Sequence, residues 1–288
     1  ADADRYEAYI KTSLEALTAE GKKFGALIME PVILGAGGML FSDPLFQHIL
    51  VKVTREQCPE LYGNAEATPD SELGWKGVPV VFDEVFTGLY RLGRFSSSSF
   101  VDVQPDISVH AKLLTGGLLP LCTTLASESI FEAFLSPEKS DALLHGHSYT
   151  AHAVGCDIAK YSLKTMQEMD EGSTWTSFKS AWKQEEGDAK QNLWSMWSQD
   201  FVRELSLRSN VESVFALGSV LAISLKDPAG SGYTSTAATG LRDTLLHDSS
   251  EENAIHSRVL GNVLYLMASM TTTPETIASI QRKVQAAI

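Results

Sequence analysis

Apolar positions near the start of the chain recur at helical spacing. Tyr6, Ile10, Leu14 and Leu17 predict an amphipathic helix over residues 4–20, ended by Gly21–Lys22–Lys23. The pattern then changes period. Phe24 to Met29 is a continuous apolar run, short enough for a buried parallel strand, and it stops at Glu30–Pro31 before a loop rich in Gly35, Gly37 and Gly38. Phe46, Ile49, Leu50 and Val53 predict a second amphipathic helix, with Ser42 or Asp43 before Pro44 as its cap. Residues 57–77 are polar and punctuated by Pro and Gly, the composition of a surface insertion. Short apolar runs follow at Val78–Phe82, Ile107–Val109 and Leu119–Ala126. Helices alternating with buried strands predict an α/β architecture built on a mostly parallel sheet.

Beyond Thr150 the texture is different. Val154, Ile158 and Tyr161 begin a long helix, and the polar stretch 172–190 reads as a loose linker. Trp194, Trp197 and Phe201 fall on one face of a predicted helix, a stripe that suits a packed core far better than a cofactor platform. Val211–Leu225 reads as one or two strands around Gly218, and 228–240 as a loop. A helix near 237–247, the run Ile255–Val259, a turn at Gly261–Asn262, the strand Val263–Met267 and a closing helix marked by Ile277, Ile280, Val284 and Ile288 complete the chain. No internal repeat is present. Two domains are expected, 1–150 and 151–288, meeting near residues 150–170.

Composition narrows the partners. With a net charge of −13 over 288 residues, neither nucleic acid nor an anionic membrane is the expected partner, since both are held by basic patches. No apolar run approaches the length of a membrane span, and the first residues lack a secretory layout. Cys58, Cys122 and Cys156 are too few and too scattered for a disulfide framework or a metal cluster, so no metal site is expected. Cys122 and Cys156 sit in apolar company and are expected to be small buried hydrophobes; a soluble, intracellular protein fits this usage.

Two residues stand out chemically. Asp83 closes the apolar run that begins after Pro79, and in an open α/β sheet an acid at the carboxyl end of a strand faces a site. Lys112 lies twenty-nine positions later, between an apolar strand and Thr115–Gly116–Gly117. Desolvation at such a place lowers a lysine's pKa toward nucleophilic reactivity. Each is weak by itself, for Asp83 could simply cap a helix. Together they are what pyridoxal 5'-phosphate demands: an amine to bond its aldehyde, and a carboxylate to keep the pyridine nitrogen protonated. Val85, two positions after the acid, could pack on the ring face.

The run Phe82-Asp83-Glu84-Val85-Phe86-Thr87-Gly88-Leu89-Tyr90-Arg91-Leu92-Gly93, then Pro105-Asp106-Ile107, then Lys112 with Thr115–Gly116–Gly117, resembles the signature of the class III aminotransferases. Glu30 to Met39 and His145 to Thr150 are similar to the branch of that family that serves biotin synthesis, and the polar insertion at 57–77 is similar to its eukaryotic form, fused to a synthetase. The resemblance implies the fold type I of pyridoxal-phosphate-dependent transferases, with part of the large, mostly parallel domain followed by a C-terminal α+β small domain. It also implies amino transfer from S-adenosylmethionine to 8-amino-7-oxononanoate, giving 7,8-diaminononanoate, in a homodimer acting on small molecules. By the same resemblance Lys112 binds the cofactor and moves the proton, and Asp83 pairs with the pyridine nitrogen. Val85 packs on the ring, and Ser148 holds the phosphate of the neighbouring subunit's cofactor. Arg258 grips the substrate carboxylate, and Arg91 is a second substrate-side arginine. A mitochondrial address is implied too, with the cytoplasm as the alternative.

The sequence departs from the family in places. Ala151–His152 stands where a Gly-Asn pair is usual, and Val259–Leu260 replaces Pro-Phe after Arg258. The family's N-terminal half, with its phosphate cradle and ring-stacking aromatic, has no counterpart before residue 20, so this chain alone is expected to bind the cofactor weakly. Two other readings stay open: a class III transaminase for ω-amino acids, and a truncated chain that only dimerises.

Overall fold

The structure, a computed structural model, describes residues 1–62, 77–143, 146–182, 193–247 and 254–288. The chain divides into two units: residues 1–33, 42–88 and 96–162 form the first, and 34–41, 89–95 and 163–288 the second.

In the first unit, helix α1 (Asp2–Ala19) buries Ile10 against Ile49 and Val53 of helix α2 (Pro44–Tyr62). Tyr6 and Phe46 meet edge to face with centroids 5.4 Å apart. The start of α2 is set by Asp43, whose Oδ1 accepts from Leu45 N at 2.9 Å, with Pro44 supplying a helix-ready φ. The α2 helix runs on through Tyr62, so the first part of the expected 57–77 insertion is helical; residues 63–76 lie outside the described residues.

The sheet of this unit joins β1 (Leu27–Met29), β4 (Val80–Asp83), β5 (Ile107–His110) and β6 (Thr123–Ala126) in the order β1-β4-β5-β6. Strands β2 (Ile33–Leu34) and β3 (Leu40–Phe41) form a separate short pair. β1, β4 and β5 are parallel, while β6 runs antiparallel to β5 at the edge. Val80 and Phe82 are fully buried, and the intervening Val81 and Asp83 lie on the other, partly open face. Helices α3 (Ser98–Val101) and α4 (Glu128–Glu132) are short and carry no apolar periodicity that a sequence window could register. From Leu118 to Tyr161, where α5 (Ala153–Glu171) runs, many large apolar side chains are exposed, among them Phe131, Leu135, Tyr149 and Val154. Cys122 and Cys156 share that exposure, against the expectation of burial: an apolar neighbourhood in sequence does not bury a residue unless other elements cover it.

The second unit is built on an antiparallel sheet in the order β7-β8-β10-β9, from β7 (Val211–Leu217), β8 (Val220–Leu225), β9 (Arg258–Leu260) and β10 (Val263–Met267). Helix α7 (Gln199–Ser206) is capped by Ser198, and α9 (Pro274–Ala287) by Thr273, whose Oγ1 accepts from Thr276 N. Helix α8 (Thr239–His247) buries Leu241 and Leu245. The region 172–190 is not merely a linker. Helix α6 (Thr176–Ala181) occupies its centre and anchors Trp175 and Phe178 in the core, while residues 183–190 lie outside the described residues. Trp194, Trp197 and Phe201 are buried as expected, yet only Phe201 is helical; Trp194 and Trp197 precede α7, beside the bridge of Ser195 to Gly218.

Those tryptophans organise the unit. Trp175 lies 5.7 Å from both Tyr90 and Trp194, and Lys179, paired with Asp170 at 2.7 Å, sits within 6 Å of both indoles. Trp194 Nε1 donates to Gly93 O at 3.2 Å, and Gly93 has a φ of +86°. A Cβ there would lie 2.8 Å from Trp194 Nε1. Gly93→Ala therefore adds a clash to left-handed strain and is expected to cost about 2 kcal/mol or more, against about 1 kcal/mol for Gly230→Ala, which has open space. Denaturant titration of the two variants checks the difference.

Candidate active site

Parallel pairing of β4 with β5 places the ends of both strands at one edge. Asp83 is level with Val109, and the ladder extends one residue further through Glu84 N to Val109 O at 3.0 Å. Asp83 turns the chain as it leaves the sheet: its Oδ1 accepts from Val85 N at 3.0 Å, an Asx turn that fixes where Val85 begins. Because Phe82 takes the buried face, Asp83 presents its carboxylate to the partly open one.

On the neighbouring strand, β5 ends at His110 and Lys112 opens a single 3₁₀ turn, Lys112–Leu114. Lys112 has a φ of +50°, in the left-handed region that side chains with a Cβ rarely adopt. That conformation costs on the order of 1–2 kcal/mol and persists only where surrounding bonds impose it. They do so here: Leu114 N donates to Ala111 O, Thr115 N to Lys112 O, Ser162 Oγ to Leu113 O at 2.8 Å, and Thr115 Oγ1 to Leu119 O at 2.6 Å. Lys112 Nζ lies 5.1 Å from the centre of the Phe86 ring.

Lys112 opens on a cavity of about 660 Å³ whose wall includes Thr115, Gly117, Leu119, Leu121 and Cys122. Loss of hydration, and then the negative charge of Asp83, push the Cys122 thiol above its ordinary pKa. The Asp83 carboxylate thus acts electrostatically on the cavity that Lys112 lines. A lysine on a strained turn at a largely apolar cavity wall, with the charge of Asp83 acting on Cys122 of that wall, fits pyridoxal phosphate. Lys112 would hold its aldehyde carbon, Asp83 its ring nitrogen and Val85 a ring face. No group of three or more metal-ligating side chains occurs among the described residues.

The other expected residues lie elsewhere. Ser148 falls in an exposed turn, braced by His147 N to Thr150 Oγ1 at 2.9 Å, and is not part of the Lys112 cavity wall; His145 lies outside the described residues. Arg91 and Arg258 belong to the second unit. Arg91 follows two left-handed residues, Leu89 and Tyr90, and its carbonyl accepts from both Ser219 N and Ser219 Oγ. Its side chain is buried, and desolvation lowers the guanidinium to about 10, still cationic at neutral pH. Arg258 is exposed, level with Tyr265 across β9 and β10, and lines a second cavity of about 480 Å³ with Arg242, Ser257 and Tyr265.

Sequence reasoning missed Glu84 and His110. Glu84 is only 2% exposed, and His110 is buried, its Nδ1 without a hydrogen-bond partner among the described residues. Burial lowers the His110 pKa, opposed by the charge of Glu84. The one signal available was Gly88, four residues after Glu84, where a glycine is required by the space.

Residues 75–288 match the model of the class III aminotransferases. The chain is 60% identical over 281 residues to a bifunctional dethiobiotin synthetase/adenosylmethionine-8-amino-7-oxononanoate aminotransferase of Emericella nidulans, covering 96% of this chain and 36% of that protein. It is 40% identical to a mitochondrial bifunctional dethiobiotin synthetase/7,8-diamino-pelargonic acid aminotransferase of Oryza sativa, over 98% of this chain and 31% of that one. The chain thus spans about a third of the length of these curated relatives. Its fold is similar to the crystal structure of an adenosylmethionine-8-amino-7-oxononanoate aminotransferase from Methanocaldococcus jannaschii, with a TM-score of 0.71 at 23% identity, over 96% of this chain and 56% of that one. The chain belongs to the class III aminotransferase family, and its fold is that of those transaminases.

Proposed function

We propose that this chain carries the lysine-bearing part of a transaminase that moves an amino group from S-adenosylmethionine to 8-amino-7-oxononanoate, giving 7,8-diaminononanoate for biotin. The reading is carried by the left-handed turn that presents Lys112 to a cavity within the electrostatic reach of Asp83. The names of the fungal and rice relatives supply the substrates, and the rice name suggests a mitochondrial address. No described helix is long and apolar enough to cross a membrane.

Pyridoxal phosphate, when bound, supplies an electron sink for the charge left as a proton departs the amine-bearing carbon. The protein's residues do the rest. Lys112 Nζ would hold the cofactor and would take and return the proton as general base and acid. The Asp83 carboxylate would keep the ring nitrogen protonated, and Val85 would pack on a ring face. Arg258 is suited to grip a substrate carboxylate with its two-pronged guanidinium, with Arg91 as a second cationic contact. Ser148 is suited to a phosphate oxygen in a homodimer, and the exposed apolar side chains between Leu118 and Tyr161 are the kind of surface such a dimer would cover.

Three outcomes are expected. Incubation with pyridoxal phosphate followed by borohydride reduction should label Lys112 above every other lysine, and Lys112→Ala should lose that label; peptide mass mapping reads it. In a chain of the relatives' full length, Asp83→Asn should lower turnover by on the order of 100-fold or more, measured with S-adenosylmethionine as donor. Arg258→Ala should raise KM for the carboxylate-bearing acceptor about 10- to 100-fold, the scale of one lost hydrogen bond to a charged group, with little change in kcat. An unchanged KM would remove Arg258 from the acceptor site.

A further inference from the structure

Glu84, next to the acid that the proposed chemistry needs, is a carboxylate without access to any substrate. It is 2% exposed, and its two oxygens are both used within the protein. Oε1 accepts from Ser96 Oγ and Oε2 from Ser97 N, each at 2.7 Å. Such short bonds to an anion are the strong kind, and a buried carboxylate persists only where it is satisfied in this way. Ser96 is itself bonded to Ser98 Oγ at 2.8 Å, and Ser97 Oγ donates to Thr87 O at 2.8 Å. The clamp closes the gap in the first unit, which the chain leaves after Gly88 and rejoins at Ser96.

The same residue reaches toward Lys112. Its main-chain N holds the carbonyl of Val109, three positions before the lysine, and its carbonyl accepts from Gly88 N at 2.9 Å. Gly88 is wedged: a Cβ would lie 2.9 Å from Glu84 O and 3.0 Å from both Glu84 Cβ and His110 Nδ1. One contact path therefore runs from Asp83 through Glu84 and Gly88 to His110, two positions before Lys112.

We propose that Glu84 is a positioning residue: its buried clamp on Ser96 and Ser97 sets where the Asp83 carboxylate stands relative to the Lys112 turn. This rests on the reading of Asp83 and Lys112 as the cofactor's partners. The acid ends one strand and the lysine follows the end of its neighbour, and both would meet the same small ring, so a shift of either by a fraction of an ångström would weaken both contacts.

The test uses a chain of the relatives' full length loaded with pyridoxal phosphate, and three variants: Glu84→Ala, Glu84→Gln and Ser96→Ala. Two readouts are taken, the position and pH midpoint of the visible band of the lysine-bound cofactor, and the Kd for pyridoxal phosphate. Val284→Ala, a core truncation in α9, serves as the control for lost stability alone. Glu84→Ala is expected to move the band and raise the Kd at least 10-fold, Ser96→Ala about 3-fold, with Glu84→Gln partly restoring both relative to alanine. Should Glu84→Ala not fold, the graded order of Glu84→Gln and Ser96→Ala against wild type decides. A wild-type band and Kd in the folded Glu84 variants would overturn the proposal, as would an equal shift in Val284→Ala. If instead Lys112→Ala retains the cofactor like wild type, the cofactor site itself is misassigned and both readings fall. Loss of the Glu84 effect alone leaves the site standing.

Discussion

Everything at the site hangs on the parallel register between two four-residue strands. With Asp83 level with Val109, the ends of β4 and β5 coincide, and the loops that leave them emerge side by side. A slip of two residues would preserve which faces are buried, yet it would carry the acid some 7 Å along the sheet, away from the turn that follows β5. The register is held from within by Val80 and Phe82, fully buried on one face. It is held from outside by Asp106, whose Oδ2 accepts from Val80 N at 2.8 Å. Arg55 donates to that same carboxylate at 3.3 Å. The Pro105–Asp106–Ile107 element of the signature is therefore a register pin, with chemistry only by consequence.

Strain concentrates around this register. Lys112 is left-handed, and so are Leu89 and Tyr90, in a loop where Leu89 N donates to Phe95 O and Tyr90 N to Arg94 O. Residues with a Cβ hold such geometry only where bonds over-determine it, and both places have them. At Lys112 the strain sets a long side chain on the wall of a cavity from a turn of minimal length. At Tyr90 it lets the ring join Phe95 and Trp175 in the aromatic cluster of the second unit.

Much of this was legible in the chain. The period-3.6 face of α1, the apolar run of β4 and the capped start of α2 each depend on local pattern, and local pattern is what a sequence displays. The strand end at Asp83 and the turn at Lys112 were legible because strand ends and glycine-flanked turns have composition cues. What escaped was non-local. Glu84 looks like any polar loop residue until Ser96 and Ser97 fold back on it, twelve and thirteen positions later. Trp194 and Trp197 kept helical spacing by coincidence, since their burial comes from Gly93, Trp175 and Ser219. The exposure of Cys122 likewise depends on which elements cover it.

The two arginines illustrate how one residue type can be placed in different surroundings. Arg91 is buried and its pKa is lowered by desolvation, so its hydration has already been given up during folding. Arg258 stands exposed on the edge strand β9, hydrated and free of ion pairs among the described residues, so its attraction for an anion is screened but its side chain can adapt. The two guanidiniums thus differ in screening and in side-chain freedom, although the sequence writes both with the same letter.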